Sequence, residues 1–214
     1  EPDVVVDPFC GSGAVLCEVA DALSGLPPGR ARPFAFERAG WFRPGRWRDL
    51  RRRRGLDAAR EDDVGTSPML RGPGRAAAPA GIGDTGAGPR LLGIDSDGRV
   101  LAAARENLDA AGHEAALLHH ADSLGFDLGS LGARAGLIVS NLPYGVRLGD
   151  SRAAGGLTRR FLSRLGEGAT RWEFALLTND AARVTQHPDV RDAQVVETVG
   201  GGLRVFVVTG SVGR

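Results

Sequence analysis

Residues 4–13 decide the fold, and they have the sequence Val-Val-Val-Asp-Pro-Phe-Cys-Gly-Ser-Gly. The three β-branched residues at the start are typical of a strand that is buried on both faces of a sheet. A helical pattern follows the glycines, with one apolar stripe that consists of Val15, Leu16, Val19, Ala20 and Leu23. The order of strand, glycine loop and helix predicts that the chain opens with an α/β unit.

Further strands alternate with helices along the rest of the chain. Short apolar runs predict buried strands at 91–95, 115–119, 136–140 and 173–178, and residues 194–199 and 203–208 predict a terminal β-hairpin. Helical spacing lies between them, at about 98–112, where Ser96 or Asp97 can serve as the N-cap, and at 157–165. We therefore expect an α/β fold with a mostly parallel seven-stranded sheet, helices on both faces and an antiparallel strand from the C-terminal hairpin at one edge.

Composition narrows the class of protein. The chain has 214 residues, of which 42% are hydrophobic, and it has no apolar run of the roughly 18 residues that a membrane span needs. No secretory leader opens it, so a cytoplasmic protein without membrane contact is expected. Cys10 and Cys17 are too close together for a disulfide framework. They lack further ligands nearby, so we interpret them as small buried residues and predict no metal site.

Arginines are concentrated in one segment. All 27 basic residues of the chain are Arg, which a GC-rich genome would explain, and seven of them lie between Arg43 and Arg54 with a single acid. Trp41, Phe42 and Trp47 are interleaved with them. Such a cluster suits phosphate contacts with aromatic stacking, although a solvated helix face is the alternative.

A low-complexity stretch follows this cluster. Residues from about 51 to 90 are rich in Arg, Gly, Pro and Ala and lack hydrophobic periodicity. Gly13 and Asp95 are 82 positions apart (95 − 13), whereas about 20 positions is usual between a glycine loop and the following acid of a compact unit. We therefore expect an insertion at about 51–90 between the first helix and the second strand.

The glycine loop follows an acid at the end of the first strand. Gly11 and Gly13 allow the backbone to approach a ligand, and a helix N-terminus supplies free N–H donors. A carboxylate at Asp7 would repel a pyrophosphate, so it suits a ligand that carries a cationic ammonium group. Pro8 and Cys10 lie in the same loop and are further candidates for contact with that ligand.

Two more acids follow the next two strands. Asp95 ends the second strand, where an acid commonly accepts hydrogen bonds from a ribose diol. Asp122 follows the third strand and can pair with the amino group of an adenine. Ser96 and Ser123 are adjacent candidates. Each acid alone could equally be a helix cap or a surface turn, but three acids at successive strand ends favour a nucleoside cofactor.

The motif Asn141-Leu142-Pro143-Tyr144 follows the fourth strand directly. An Asn side-chain oxygen and a backbone carbonyl can each accept one N–H of a conjugated amino group, which directs the nitrogen lone pair at a methyl donor. Pro143 stiffens the backbone that holds the carbonyl, and Tyr144 can stack on a planar base. A simple turn after a strand is the alternative. With the acids in this order, the motif predicts methylation of an amino nitrogen.

These motifs, in this order, resemble class I amino-methyltransferases with an Asn-Pro-Pro-Tyr type motif. More narrowly, they resemble the bacterial large-subunit ribosomal RNA N2-guanine methyltransferases and their THUMP-domain relatives. Residues 34–38, residues 144–149 and the glycine-rich hairpin before Leu203 are similar to segments of that family. The likeness covers almost the whole chain and is weakest from residue 55 to 90. Leu142 replaces the first proline of the motif.

The resemblance implies a Rossmann-like fold and S-adenosylmethionine as the cofactor. It also implies methyl transfer to the exocyclic N2 amino group of a guanine in RNA, with ribosomal RNA as the expected partner and transfer RNA as the second candidate. The expected cofactor contacts are Asp7, Pro8, Cys10, Gly11, Gly13, Asp95, Ser96, Asp122 and Ser123. The expected catalytic residues, which would hold the target base, are Asn141, Leu142, Pro143 and Tyr144.

We expect residues 1–214 to form a single methyltransferase catalytic domain, without the N-terminal RNA-binding THUMP module of the family. Three alternatives remain at this point. The same chemistry could act on the N6 amino group of DNA adenine or on the N5 amide nitrogen of a protein glutamine. A non-catalytic member of the fold could bind RNA alone.

Overall fold

Seven strands form one sheet in the computed structural model of the protein, which describes residues 2–29, 34–53, 88–143, 151–167, 171–200 and 202–213. The strands are β1 Val4–Asp7, β2 Arg90–Asp95, β3 Leu117–His120, β4 Ala135–Asn141, β5 Arg171–Thr178, β6 Val190–Gly200 and β7 Leu203–Val212. The helices are α1 Ala14–Leu23, α2 Pro44–Arg53, α3 Gly98–Ala110, α4 Ser151–Glu167 and α5 Ala181–Thr185, with short 3₁₀ turns at Ala35–Arg38 and Leu128–Leu131.

The strand order is β3-β2-β1-β4-β5-β7-β6. The first five strands in this order pair in parallel, and β7 is antiparallel to both β5 and β6. The predicted α/β fold, the mostly parallel sheet and the C-terminal hairpin are confirmed. The prediction that the reversed strand lies at an edge is wrong: β7 lies one place inside, and β6 covers its outer side.

Hydrophobic cores lie on both faces of the sheet. Val4 and Val6 contribute to the larger core, whereas Val5 between them contributes to the second core with residues of α1 and α3. Successive side chains of a strand point to opposite faces, so a run of three fully buried valines requires cover on both sides. The opening strand is therefore central in the sheet, as its sequence predicts.

Two local predictions can be compared with the structure directly. Asp97 is the N-cap of α3, and its side chain accepts a hydrogen bond from the Arg99 N–H. The third strand begins at Leu117, not at residue 115, because the Ala116 N–H donates to the His113 carbonyl in a turn. Of the predicted insertion, residues 51–53 form the end of α2 and residue 90 begins β2, while residues 54–87 lie outside the described part of the chain.

No helix within the described residues is long and apolar enough to cross a membrane.

Gly136 of β4 is packed under the indole of Trp172 on the neighbouring strand β5. The two residues are register partners, and Trp172 is 2% exposed. A Cβ atom on residue 136 would lie 2.0 Å from Trp172 Cζ3, well inside contact distance. The largest side chain of the core therefore fits only because residue 136 has no side chain.

We expect Gly136→Ala to lower the free energy of unfolding by about 1–3 kcal/mol, because the buried indole must shift. Gly156→Ala is the matched control. Gly156 is an exposed residue of α4, and a Cβ atom there would meet nothing within 4 Å. The control should stabilise the protein by up to about 1 kcal/mol, because Ala favours helix. Urea unfolding of both variants measures the difference, and equal effects would contradict the packing argument.

Candidate functional site

The three acids singled out in the sequence lie at one edge of the sheet. Asp7 and Asp95 are the last residues of β1 and β2, and Asp122 lies two residues beyond β3. These strands are parallel neighbours, with Asp7 in register with Gly93 and Asp95 in register with His120. The carboxyl ends of parallel strands meet at one edge, where ligands of open α/β sheets bind.

Hydrogen bonds attach the glycine loop to β2. The Gly11 N–H donates to Asp95 Oδ2 over 3.0 Å, and the Cys10 N–H donates to the Ile94 carbonyl over 3.0 Å. Gly11 has φ +52° and Gly13 has φ +78°, a left-handed conformation that glycine adopts at least cost. Gly13 is also the N-cap of α1. The loop therefore places the start of α1 beside the Asp95 carboxylate.

Asp7 is a buried carboxylate with two hydrogen-bond donors. Its Oδ1 accepts from Ser140 Oγ at 2.6 Å and from the Phe9 N–H at 3.2 Å, and the residue is only 1% exposed. Burial raises the pKa of Asp7 to about 6, and the nearby Asp95 carboxylate adds to the rise, while both hydrogen bonds oppose it. At neutral pH this side chain is an ionised carboxylate inside the protein.

The loop after β3 is tied to the glycine loop. The Ser123 hydroxyl donates to the Pro8 carbonyl, and both atoms are buried. Asp122 is exposed, and its Oδ1 accepts the Leu124 N–H over 3.0 Å. The structure therefore brings Pro8, Asp122 and Ser123 to the same edge as Asp7 and Asp95. Ser96 joins them through its carbonyl oxygen, which lies 3.0 Å from His120 Nε2.

The motif predicted to be catalytic lies at the end of the neighbouring strand, β4. Asn141 is the last residue of β4 and its side chain is exposed. Leu142 is 2% exposed and packs in the larger core, and its N–H donates to the Leu177 carbonyl over 3.0 Å. Pro143 is half-buried. Tyr144 lies outside the described residues, so its predicted stacking role stays a prediction.

Ser140 is the residue of the site that sequence reasoning missed. It directly precedes Asn141 and is buried, and its hydroxyl connects β4 to the acid that ends β1. A polar residue inside the apolar run 136–140 was the one available signal. The partner could not be identified from the sequence, because the two residues are 133 positions apart.

Cys10 is buried in the second core, beside the glycine loop. Burial, with a contribution from the Asp7 and Asp95 carboxylates, raises the pKa of its thiol to about 12. The thiol is therefore protonated at neutral pH and is no nucleophile. Within the described ranges, no group of three or more His, Cys, Asp or Glu side chains could hold a metal ion.

The Arg-rich segment forms a separate feature around α2. The rings of Phe34 and Phe36 stack with centroids 5.3 Å apart, and Trp47 packs edge-on against both. The Arg51 guanidinium lies 5.8 Å from the centre of the Trp47 ring and is buried. The other arginines of α2, which are Arg46, Arg48, Arg52 and Arg53, are exposed, as are Arg43 and Trp41 before the helix, and Trp41 is 68% exposed.

Residues 1–204 match the family described as RMKL-like, methyltransferase domain. The chain belongs to this family. The match covers the β1 acid, the glycine loop, the acids after β2 and β3, and the Asn141 motif in one alignment. It confirms the resemblance that these motifs predicted.

Curated relatives share the domain within much longer chains. The ribosomal RNA large subunit methyltransferase K/L of Syntrophotalea carbinolica is 29% identical over 204 residues, which are 93% of this chain and 25% of the relative. The enzyme of the same name from Methylococcus capsulatus is 32% identical over 176 residues, which are 82% of this chain and 21% of the relative. The chain thus spans about a quarter of the length of these relatives.

Solved structures agree on the fold. SMU.472, solved in complex with SAH, is 25% identical and has a TM-score of 0.63 over 97% of this chain and 47% of its own. TrmN from Thermus thermophilus is 20% identical, with a TM-score of 0.51 over 99% of this chain and 44% of its own. The family and these neighbours confirm the Rossmann-like methyltransferase fold.

We expect Ser140→Ala to raise the pKa of Asp7 above about 6, because the hydroxyl that stabilises the carboxylate is lost. A folded-state pKa above the unfolded value means that Asp7 contributes stability at low pH and loses it as pH rises through that pKa. The cost of Ser140→Ala should therefore be larger at pH 8, at about 1.5–3 kcal/mol, than at pH 5, at about 1 kcal/mol.

Urea unfolding at pH 5 and pH 8 measures this difference. Ser211→Ala is the matched control, because Ser211 is a buried serine of β7 whose hydroxyl makes no hydrogen bond to a carboxylate within the described residues, and its register partner on β5, Glu173, is exposed. The control should show the same cost at both pH values. An equal pH dependence of the two variants would contradict the proposed coupling between Ser140 and Asp7.

Proposed function

We propose that this chain is an S-adenosylmethionine-dependent RNA methyltransferase domain that transfers a methyl group to the exocyclic N2 amino group of a guanine, with large-subunit ribosomal RNA as the substrate. The hydrogen bond between Ser140 and Asp7 is the observation that carries the proposal. It brings the buried acid suited to a cationic cofactor within one residue of Asn141, the residue suited to an amino group.

The residues at this edge fit a nucleoside with a cationic amino-acid tail. Asp7 supplies a buried negative charge for the ammonium group, and the loop is open at Gly11, where a Cβ atom would meet nothing within 4 Å. Asp95 is placed to accept hydrogen bonds from a ribose diol, and Asp122 from an adenine amino group. The tie between Ser123 and Pro8 holds the two loops at one spacing.

Asn141 orients the amino group that receives the methyl. Its Oδ1 accepts one N–H of the base, and the carbonyl of Leu142 or Pro143 accepts the other, so the nitrogen lone pair points at the donor. When bound, S-adenosylmethionine would supply an electrophilic methyl group for this nitrogen, and S-adenosylhomocysteine would be the leaving group. The nitrogen then loses one proton to water, which the exposed position of Asn141 admits. Positioning supplies most of the catalysis.

The arginines of α2 support RNA as the substrate class. Trp47 and the buried Arg51 anchor the helix on an aromatic cluster, and the remaining arginines face solvent. Guanidinium groups bind phosphates in two-point contacts, and the exposed Trp41 offers a surface for base stacking. A protein amide substrate would have no use for such a surface, whereas a polyanion would.

Cofactor affinity is expected to depend on the ionisation of Asp7. Because the pKa of Asp7 is about 6, the carboxylate is mostly ionised at pH 7.5 and about one-tenth ionised at pH 5. Titration calorimetry with S-adenosylhomocysteine should therefore give an affinity about tenfold lower at pH 5. Asp7→Asn keeps an acceptor for the Ser140 hydroxyl but has no charge, so its affinity should be about 10–100-fold lower at pH 7.5 and independent of pH.

An unchanged affinity of the wild type from pH 5 to pH 7.5 would contradict the role of Asp7. Binding by Asp7→Asn at wild-type strength would do the same. No detectable binding by the wild type itself would favour the alternative of a non-catalytic RNA-binding member.

Asn141→Ala is expected to lower the rate of methyl transfer by at least about 100-fold, because the amino nitrogen loses the acceptor that orients its lone pair. Labelled S-adenosylmethionine and large-subunit ribosomal RNA measure the transfer. Affinity for S-adenosylhomocysteine should stay within about twofold of wild type, because Asn141 contacts the base and not the cofactor.

Full activity of Asn141→Ala would refute the mechanism. Substrate competition separates the remaining alternatives: labelling of DNA adenine or of a protein glutamine, with ribosomal RNA unlabelled, would reassign the substrate. Hydrolysis of the labelled RNA to nucleosides and chromatography against N2-methylguanosine tests the target atom.

A further inference from the structure

A basic cavity lies on the exposed side of α4, outside the site described above. It has a volume of about 340 Å³, and the residues that line it are Leu124, Arg159, Arg160, Ser163, Arg164 and Glu167. Five of these six belong to α4, and Leu124 belongs to the segment that follows β3. The cavity is therefore a groove between one helix and one loop of the same face of the sheet.

The charge of this cavity is unbalanced. It contains three guanidinium groups and one carboxylate, which is a balance of +2 (3 − 1). The one carboxylate, Glu167, forms an ion pair with Arg164, whose Nη1 lies 3.3 Å from Glu167 Oε2. Arg159 and Arg160 are exposed, and neither forms an ion pair with any described residue. Arg160 and Arg164 are four positions apart on the helix, where like charges repel each other.

The helix that carries these arginines is anchored firmly. Phe161, Leu162 and Leu165 on its inner side are buried in the larger core. His187 Nε2 lies 3.2 Å from both Ser163 Oγ and the Arg159 carbonyl, so the buried imidazole holds this turn of α4 against the segment before β6. The guanidinium groups are therefore presented by a rigid element.

Both walls of the cavity lead to the candidate site. The Leu124 N–H donates to the Asp122 carboxylate, and the next residue back, Ser123, donates to Pro8 in the glycine loop. The opposite wall, α4, also contacts that loop, because the Phe161 ring packs edge-on against Phe9 with centroids 5.3 Å apart. The groove therefore lies beside the glycine loop of the candidate site.

We propose that the cavity of Arg159 and Arg160 binds backbone phosphates of the RNA strand next to the target base. This proposal rests on the proposed function, which makes the ligand an RNA. A phosphodiester carries the charge that the cavity lacks, and a guanidinium group matches its geometry with two parallel donors. The Leu124 side chain supplies an apolar wall for the adjoining sugar.

The double variant Arg159→Gln/Arg160→Gln tests this site against a matched control, Arg90→Gln/Arg134→Gln. The control removes the same charge from exposed arginines at the amino ends of β2 and β4, the end of the strands away from Asn141. Fluorescence anisotropy with a labelled single-stranded RNA of about 20 nucleotides gives the affinity at several salt concentrations. Calorimetry with S-adenosylhomocysteine tests that each variant keeps its fold and cofactor site.

Loss of one phosphate contact to a single strand lowers the slope of log affinity against log salt by about 0.7. We therefore expect the slope of Arg159→Gln/Arg160→Gln to be smaller by about 1.4, with a lower affinity at low salt and unchanged cofactor binding. The control should keep the slope and affinity of the wild type.

If the wild type binds RNA and Arg159→Gln/Arg160→Gln has the same slope of log affinity against log salt, this site is overturned and the proposed function stays intact. Failure of the wild type to bind RNA, with cofactor binding retained, would overturn both. Inorganic phosphate at constant ionic strength provides a further test. Phosphate that binds at Arg159 and Arg160 without displacing the RNA would identify a free-anion site instead and would overturn the proposal.

Discussion

The buried carboxylate of Asp7 is the constraint on which the candidate site depends. It ends β1, an inner strand of the sheet between β2 and β4, where water cannot solvate it. A buried charge is tolerated only with hydrogen-bond donors, and Ser140 and Phe9 supply them from two segments. Both this acid and the hydrophobic core therefore require the strand order β2-β1-β4.

The same edge combines two kinds of contact that differ in rigidity. The proposed cofactor side is built from hydrogen bonds that join loops and strand ends, from the Gly11 N–H to Asp95 and from the Ser123 hydroxyl to the Pro8 carbonyl. The proposed base side depends on Asn141, which is the exposed last residue of β4 and is followed by Leu142, a residue buried in the core. Fixing the backbone on both sides of the exposed amide makes its position precise, and precise positioning is what methyl transfer to a conjugated nitrogen requires.

Local patterns predicted the helices and strands well, but they did not predict the position of β7 in the sheet. Val4 to Val6 indicated a strand buried on both faces, and Asp97 was a correct helix cap, because burial pattern and cap chemistry depend on neighbouring residues. The hairpin was also correct, but β7 is inserted between β5 and β6 and is not an edge strand. A hairpin has the same turn residues and the same alternation of apolar and polar residues whichever of its two strands pairs with the sheet. Its sequence therefore cannot select the strand order.

By itself, the sequence determined the α/β class and the order of the three acids and the Asn141 motif along the chain. It also predicted the family, which the match over residues 1–204 confirms. Only the tertiary structure decided which of these residues meet. Ser140 contacts Asp7 across 133 positions of the chain, and the buried His113 Nε2 lies 2.6 Å from Asp21 Oδ1 across 92 positions. The groove between Leu124 and the arginines of α4 likewise depends on how distant segments pack. Local patterns fix which groups a segment offers, whereas strand order and packing fix the partners that those groups receive.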